Sequence, residues 1–487
     1  MNRPLRRVAM ACLLLFGLLI LNVNWVQVVK AEDYRDDPRN SRVLLRTYER
    51  ERGPIAVLDA QGQRQAVAES VRTDGPLEWL RTYPGGAEYA AVTGYYSLIY
   101  GRTGIERSQD EELSGDADEF FVRRLSDVVT GRSPEGGAVL LTLDPAAQAA
   151  AYAGLQGNRG AVVALDPRTG AVLAMASLPS YDPARLSSFE PEDIRSYYAE
   201  LNGADADPLL NRAISKTYPP GSTFKVVTAA AALANGVTTE TQIPSPTVLD
   251  LPQTRAGLRN FGGASCSGET STLAEAMRIS CNTAFGALGL QLGDDALREQ
   301  AEAFGFGDTD LRVPTRVADS RFPEDANPPQ TAQSAIGQFD VRVTPLQMAM
   351  VAAGIANDGE VMEPYLVQEV QAPDLSVVSA ARPRTLSRAT SEEVADELTS
   401  MMELVVADGS GRRAQIDGVR VAGKTGTAQH AQGRPPHAWF ISFAPADDPQ
   451  VAVAVVVEDG GSLGSEATGG ALAAPIAADV MRAVLGR

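Results

Sequence analysis

The chain has 487 residues, 44% of them apolar and 21% charged, which is enough for two domains with sizeable cores. Its formal net charge of −18 excludes nucleic acid and anionic lipid as general partners, because an acidic surface repels both. An anionic substrate must therefore meet local positive charge, and only Lys30, Lys216, Lys225 and Lys424 supply it as lysine among 43 basic residues.

Taken from the start, Arg3, Arg6 and Arg7 precede a largely apolar run from Val8 to Leu21 that continues less cleanly through Trp25 and Val29. At about 20 residues it can cross a bilayer, with the basic flank cytoplasmic and Trp25 at the outer interface. Residues 1–31 are thus expected to form a cytoplasmic tip and a single transmembrane anchor. The rival is a cleaved secretory signal cut after Val29-Lys30-Ala31, although the run exceeds the ~7–15 residues of a usual signal core. Either reading exports the chain and puts the rest outside the cytoplasmic membrane.

Residues 32–135 are expected to form a small, mostly extended, non-catalytic domain with short apolar patches such as Ile55 to Leu58. Arg132-Ser133-Pro134-Glu135-Gly136-Gly137 breaks regular structure and marks a boundary, leaving 136–487 as the second domain. There, Thr142-Leu143-Asp144-Pro145 leads into an alanine-rich helix with Pro145 in the tolerated first turn. Apolar runs at 161–165 and 171–176 flank Asp166-Pro167-Arg168-Thr169-Gly170, which is hairpin chemistry. Helical patterns fill most of 222–305 and 391–407, with Thr272-Leu273-Ala274-Glu275 and Thr390-Ser391-Glu392-Glu393 fitting capping boxes. Two more strands at 438–443 and 451–457 and a last helix near 470–485 complete a mixed α/β (α+β) domain whose sheet is mainly antiparallel and flanked by helices.

Three motifs in this domain carry chemistry. Pro219-Pro220-Gly221 stops regular structure, so Ser222 falls on the first turn of a helix and Lys225, three residues on, shares its face. That is a nucleophile beside a base, provided burial or a second cation keeps the lysine neutral. Arginine could not serve, because its guanidinium stays charged. Ser280-Cys281-Asn282 can offer a hydroxyl for proton delivery and an amide for a substrate peptide bond. Lys424-Thr425-Gly426-Thr427 suits an edge strand to which an extended peptide could add, with Gly426 admitting a close backbone and Lys424, Thr425 and Thr427 suited to a terminal carboxylate. Lys424 is also the compact charge that would depress Lys225. Alone, each motif is more often a surface helix pair or a turn; each occurs once, and together they are specific.

Cys12 lies in the apolar run, which leaves Cys266 and Cys281 either as a disulfide in an oxidising space or as two small buried thiols. Other signals carry no function here. Gly460-Gly461-Ser462-Leu463-Gly464 imitates a nucleophile elbow but no histidine follows it. His430 and His437 read as structural residues near the site, without ligand spacing for a metal. Glu200-Leu201-Asn202 precedes Ser222 and reads as a helix surface.

Ser-x-x-Lys, Ser-x-Asn and Lys-Thr-Gly in this order are the motif set of penicillin-binding proteins and serine β-lactamases. The chain resembles monofunctional class B penicillin-binding proteins, most closely the short actinobacterial type called penicillin-binding protein A, over nearly its whole length. Beyond the motifs, the likeness includes Thr142-Leu143-Asp144, Tyr218-Pro219-Pro220-Gly221 before Ser222, Thr344-Pro345-Leu346-Gln347-Met348-Ala349, His437-Ala438-Trp439-Phe440 and, more weakly, Arg52-Gly53-Pro54-Ile55. The resemblance implies a peptidoglycan D,D-transpeptidase without cofactor or metal, trapped by β-lactams. Ser222 would attack, Lys225 take the proton and Ser280 help protonate the leaving D-Ala. Asn282, Lys424, Thr425, Gly426 and Thr427 would bind substrate. It also implies a separate glycosyltransferase partner, since about a hundred residues after the anchor are too few for that module. A D,D-carboxypeptidase or β-lactamase would carry the same motifs, and a β-lactam sensor or inactive scaffold is the alternative outside catalysis.

Overall fold

The N-terminal apolar run forms helix α1 (Arg3–Asn24) and continues as a π-turn over Trp25–Val29. This span has a mean hydropathy of 2.1 and is exposed along its length among the described residues, so by length and composition it can cross a membrane. The structure, a computed structural model, describes residues 3–30, 48–75, 77–120, 135–263, 265–431 and 433–486. Ala31 of the cleavage reading and Arg132 to Pro134 of the expected boundary lie outside them.

The region after the anchor contributes β1 (Ile55–Leu58), β2 (Arg64–Arg72), β3 (Trp79–Thr82) and a short helix, α2 (Gly86–Thr93). Arg52 and Arg81 converge there on Glu106, with Nε atoms 2.6 Å from opposite carboxylate oxygens, all three side chains buried. The strand after the expected boundary, β4 (Ala138–Leu141), pairs parallel with β1, so one backbone ladder runs across that point.

Asp144 caps α3 (Pro145–Gly154), its Oδ1 accepting from Ala147 N at 2.8 Å. The predicted hairpin follows as β5 (Gly160–Leu165) and β6 (Val172–Leu178), then α4 (Pro191–Asn202). A 3₁₀ turn at Gly221–Phe224 leads into α5 (Lys225–Ala234). The helical run expected through 222–305 is broken by short strands, among them β7 (Val248–Asp250) and β8 (Gly257–Arg259). Pro244, Pro246 and Pro252 forbid a continuous helix there. Next come α6 (Leu273–Arg278), α7 (Asn282–Ala303), α8 (Pro345–Ala356), β9 (Val367–Gln371), β10 (Val377–Ala380) and α9 (Glu392–Asp408). The chain closes with β11 (Ala422–Ala428), β12 (His437–Ala444), β13 (Val451–Val457) and α10 (Ala474–Val484).

Two sheets organise these elements. The first has six strands in the order β10-β9-β4-β1-β2-β3. The second, β11-β12-β13-β5-β6, is antiparallel at every junction. Every residue of β12 and β13 is buried, because α3 and α10 cover one face of this sheet and α8 and α9 the other. That two-sided burial explains why β13 reads Val-Ala-Val-Ala-Val-Val-Val, without polar alternation. Both capping boxes are modified. Thr272 accepts from Glu275 N at 3.1 Å, but the Glu275 carboxylate turns to Arg278 and Ser267. On α9 the cap is Ser391, not Thr390, whose backbone N–H is drawn to Gly359 O.

Candidate active site

The three motifs meet at a cavity of about 970 Å³ whose lining includes Ser222, Ser280, Asn282, Thr425 and Thr427. Ser222 sits on the 3₁₀ turn ahead of α5. Gly221, at φ +55°, bends the chain into that turn and donates its N–H to Gly337 O at 2.9 Å. Phe224 anchors the turn from below, stacking on Phe322.

Lys225 is fully buried, and its Nζ donates to Ser280 O and Asn282 Oδ1, each at 2.7 Å, and to Ser280 Oγ at 3.3 Å. Among the described residues no hydrogen bond joins it to Ser222 Oγ. The shared helix face predicted from the three-residue spacing is present, but buried oxygens of the Ser-x-Asn turn draw the amine. Lys424 Nζ donates to the same Ser280 Oγ at 2.8 Å and to Thr425 O at 3.0 Å. The Ser280 hydroxyl therefore lies between two amines, and neither lysine meets a carboxylate among the described residues. Burial, reinforced by the Lys424 charge, pushes Lys225 well below its ordinary value. Burial also brings Lys424 down to about 7.

The Ser-x-Asn turn is held from several sides. Ser280 follows α6 at φ +62°, a left-handed conformation uncommon for a serine, and Cys281 N bonds back to Ala276 O at 2.8 Å. Cys266 and Cys281 form a disulfide, which settles the choice that the cysteine count left open. Asn260 Oδ1 accepts from Asn282 N at 2.7 Å and Thr283 N at 3.2 Å, capping α7 from the β8 side.

Lys424 to Thr427 lie on β11, an edge strand as expected. Thr425 and Thr427, two apart, share the face that lines the cavity. Gly426 has a different reason from the one expected. A Cβ there would come within 3.0 Å of Pro220 O and Thr223 Cγ2, so the missing side chain admits the nucleophile turn rather than a ligand backbone.

Sequence reasoning missed the support behind Ser222. Glu458, buried at the end of β13, accepts from Tyr218 Oη at 2.7 Å and from Arg212 Nε and Lys216 Nζ at 3.0 Å each. Burial would raise its carboxyl, but Tyr218, Lys216 and Arg212 outweigh that and hold it low. Trp439 Nε1 fixes the same segment by donating to Pro219 O at 3.1 Å. The only sequence signal was a carboxylate directly after an unbroken apolar strand. Asp459 was missed too: it joins His430 and His437 in a group of metal-ligand type, His430 Nε2 lying 2.9 Å from Asp459 Oδ1. The imidazoles stack at 3.9 Å with planes 16° apart, and His437 Nδ1 already accepts from Asp459 N. Parallel rings with one lone pair engaged do not converge on a metal position. Burial, with His430 beside it, lowers His437 to about 4. Ser462 of the elbow-like stretch lies on an exposed turn, and Glu200 on the exposed face of α4.

Residues 160–482 match the family described as penicillin-binding protein transpeptidase domain, and residues 52–139 the penicillin-binding protein A dimerisation domain. The peptidoglycan D,D-transpeptidase PbpA of Mycolicibacterium smegmatis is 49% identical over 100% of this chain and 99% of its own length. Its namesake in Mycobacterium tuberculosis is 47% identical over the same shares. Penicillin-binding protein A from M. tuberculosis, solved as a ceftriaxone acyl-enzyme complex, superposes with a TM-score of 0.87 at 46% identity, covering 91% of this chain and 100% of that one. Its penicillin G acyl-enzyme complex gives 0.85 at 46% identity, with 90% and 100% covered.

Proposed function

The chain belongs to the penicillin-binding protein transpeptidase family, and from that membership we propose that it is a peptidoglycan D,D-transpeptidase that β-lactams acylate. The donor is a stem peptide ending in D-Ala-D-Ala, and the acceptor is an amine of a neighbouring stem peptide.

In the mechanism we propose, Ser222 Oγ attacks the carbonyl carbon of the penultimate D-Ala and its proton passes to neutral Lys225. The backbone N–H groups of Ser222 and Thr427 hold the resulting oxyanion, each donor worth roughly 3–4 kcal/mol in comparable sites. The C–N bond then breaks as Ser280, relayed from the lysine, protonates the leaving amine. The acceptor amine attacks the ester, the C–O bond breaks and Ser222 recovers a proton. Asn282 and Thr427 hold the donor backbone, Lys424 and Thr425 its terminal carboxylate, and Gly426 lets the nucleophile turn lie against β11. The observation that carries this reading is the pair of buried lysines meeting on Ser280 Oγ in the cavity that Ser222 also lines, with no carboxylate partner among the described residues. Such a site keeps an amine neutral enough to act as a base.

The helix Arg3–Val29 would anchor the protein, with residues 32–135 and the catalytic domain 136–487 outside the cytoplasmic membrane. A separate glycosyltransferase would polymerise the glycan. The test is intact-mass measurement after exposure to penicillin. The wild type should hold a persistent adduct that Ser222→Ala lacks; an adduct surviving in Ser222→Ala removes Ser222 as nucleophile, and rapid antibiotic turnover makes the protein a hydrolase.

A further inference from the structure

Among the described residues, the charged side chains that line the cavity are Arg259, Glu275 and Arg278. Two of them cancel. Arg278 donates from Nε and Nη2 to the Glu275 carboxylate at 2.6 and 2.8 Å, and its Nη1 is engaged by Asp408 O at 2.6 Å. Arg259 is exposed, and among the described residues its guanidinium makes no ion pair or hydrogen bond. The cavity wall therefore keeps one uncommitted cation in a chain of net charge −18.

The backbone fixes where that cation stands. Leu258 seats β8 on α7, where a Cβ on Gly286 would lie 2.4 Å from Leu258 Cδ2, so Arg259, the next residue of the strand, turns the other way. Arg259 O accepts from Asn282 Nδ2 at 3.1 Å, which uses one N–H of that amide and leaves the other for a donor carbonyl. Phe261, 56% exposed, lines the same cavity two residues on. A free guanidinium near bare aromatic surface, tied to the amide that holds the donor backbone, matches a group with an apolar stem and an anionic tip. The donor's terminal carboxylate is assigned to β11, so the anion that suits Arg259 is a second one.

We propose that Arg259 is a specificity-determining residue that selects donor stem peptides bearing a second carboxylate, at the tip of the group just upstream of D-Ala-D-Ala. This rests on the transpeptidase reading. An ion pair at so exposed a guanidinium changes binding by up to about five-fold, and salt screens it.

The test compares two thioester donors on the purified full chain in detergent, N-adipoyl-D-alanyl thioglycolate and its N-adipamoyl analogue. Both keep the terminal carboxylate, and they differ only in whether the upstream acyl group ends in an acid or an amide. The wild type should show a KM about five-fold lower for the acid with similar kcat, and about 0.5 M salt should remove most of that preference. Arg259→Ala should abolish it by raising KM for the acid alone, Arg259→Lys should keep part of it, and Arg259→Glu should reverse it. A preference that survives in Arg259→Ala, or equal losses on both donors, overturns the proposal. So does a wild type that penicillin acylates but that treats the two donors alike. A wild type that takes neither donor and forms no penicillin adduct overturns the transpeptidase reading itself, so the two failures are distinguishable.

Discussion

Arg52 and Arg81 near the first sheet and Lys225 and Lys424 in the cleft are all buried cations, yet they are treated in opposite ways. The arginines share Glu106, each at 2.6 Å. Burial alone would raise Glu106, but Arg81 and Arg52 hold it below the usual carboxylate range, and Glu106 in turn holds Arg52 above its ordinary one against the same burial. The lysines meet a hydroxyl, an amide oxygen and backbone carbonyls, and burial lowers both. Charge is thus neutralised where it builds structure and left unstable where a proton must move. The residue choice follows: a guanidinium for the permanent pair, an amine for the group that titrates.

The strongest way to break this comparison is Lys225→Arg, which nearly keeps the length but puts a permanent cation in place of the base. Acylation by a fluorescent penicillin should slow about 10³-fold, the scale of a lost general base; a normal rate would show that Lys225 is not the base. Glu106→Gln should do the reverse. Leaving Arg81 without Glu106 and Arg52 with Asp110 alone should cost about 3 kcal/mol in denaturant unfolding while acylation per folded molecule stays unchanged; wild-type stability would mean that Asp110 suffices for the cluster.

The pH dependence of stability separates the same regions. Lys424 falls from 10.5 when unfolded to about 7 when folded. Between those values the unfolded chain binds more protons, so stability should decline as pH falls through that window, the cost being complete below about 7. Glu106 lies below 4.5 in the folded chain, so its contribution is present above that value and disappears at more acid pH. Lys424→Met should lessen the first slope, the remainder belonging to Lys225, which burial lowers too, and leave the second. An unchanged first slope would show that Lys424 contributes nothing to it. The smallest effect is expected at Lys216→Arg, since Lys216 serves Glu458 only as a charge partner and is partly exposed. Thermal unfolding should show a change of less than about 1 kcal/mol and acylation should be unaltered, in contrast to Lys225→Arg; a large loss of acylation would give Lys216 a chemical role.

Much of this was legible in one dimension. Spacing placed Ser222 and Lys225 on one helix turn, and β5, β6, β12 and β13 were readable from apolar runs bounded by turn residues. The helices between 222 and 305 were over-read, because alanine-rich composition hid the proline-bounded strands around 242–272. Thr390 fits the cap pattern in one dimension, and only the Gly359 contact displaces it. Glu458, Asp459 and Asn260 carried no motif, and each acts through a partner 22 to 246 residues away.

By itself the sequence determined the chemical inventory: one serine and two lysines in three short motifs, an apolar span at the start and two cysteines able to pair. Those depend on residue type and local spacing, which the chain carries whatever its fold. Only the tertiary structure decided that both lysines converge on Ser280, that Gly426 accommodates the nucleophile turn and that Lys424 titrates near neutrality. Proton affinity and hydrogen-bond partnership depend on burial and on neighbours distant in sequence, and the packing of β11 against α9 and the Gly221–Phe224 turn sets both.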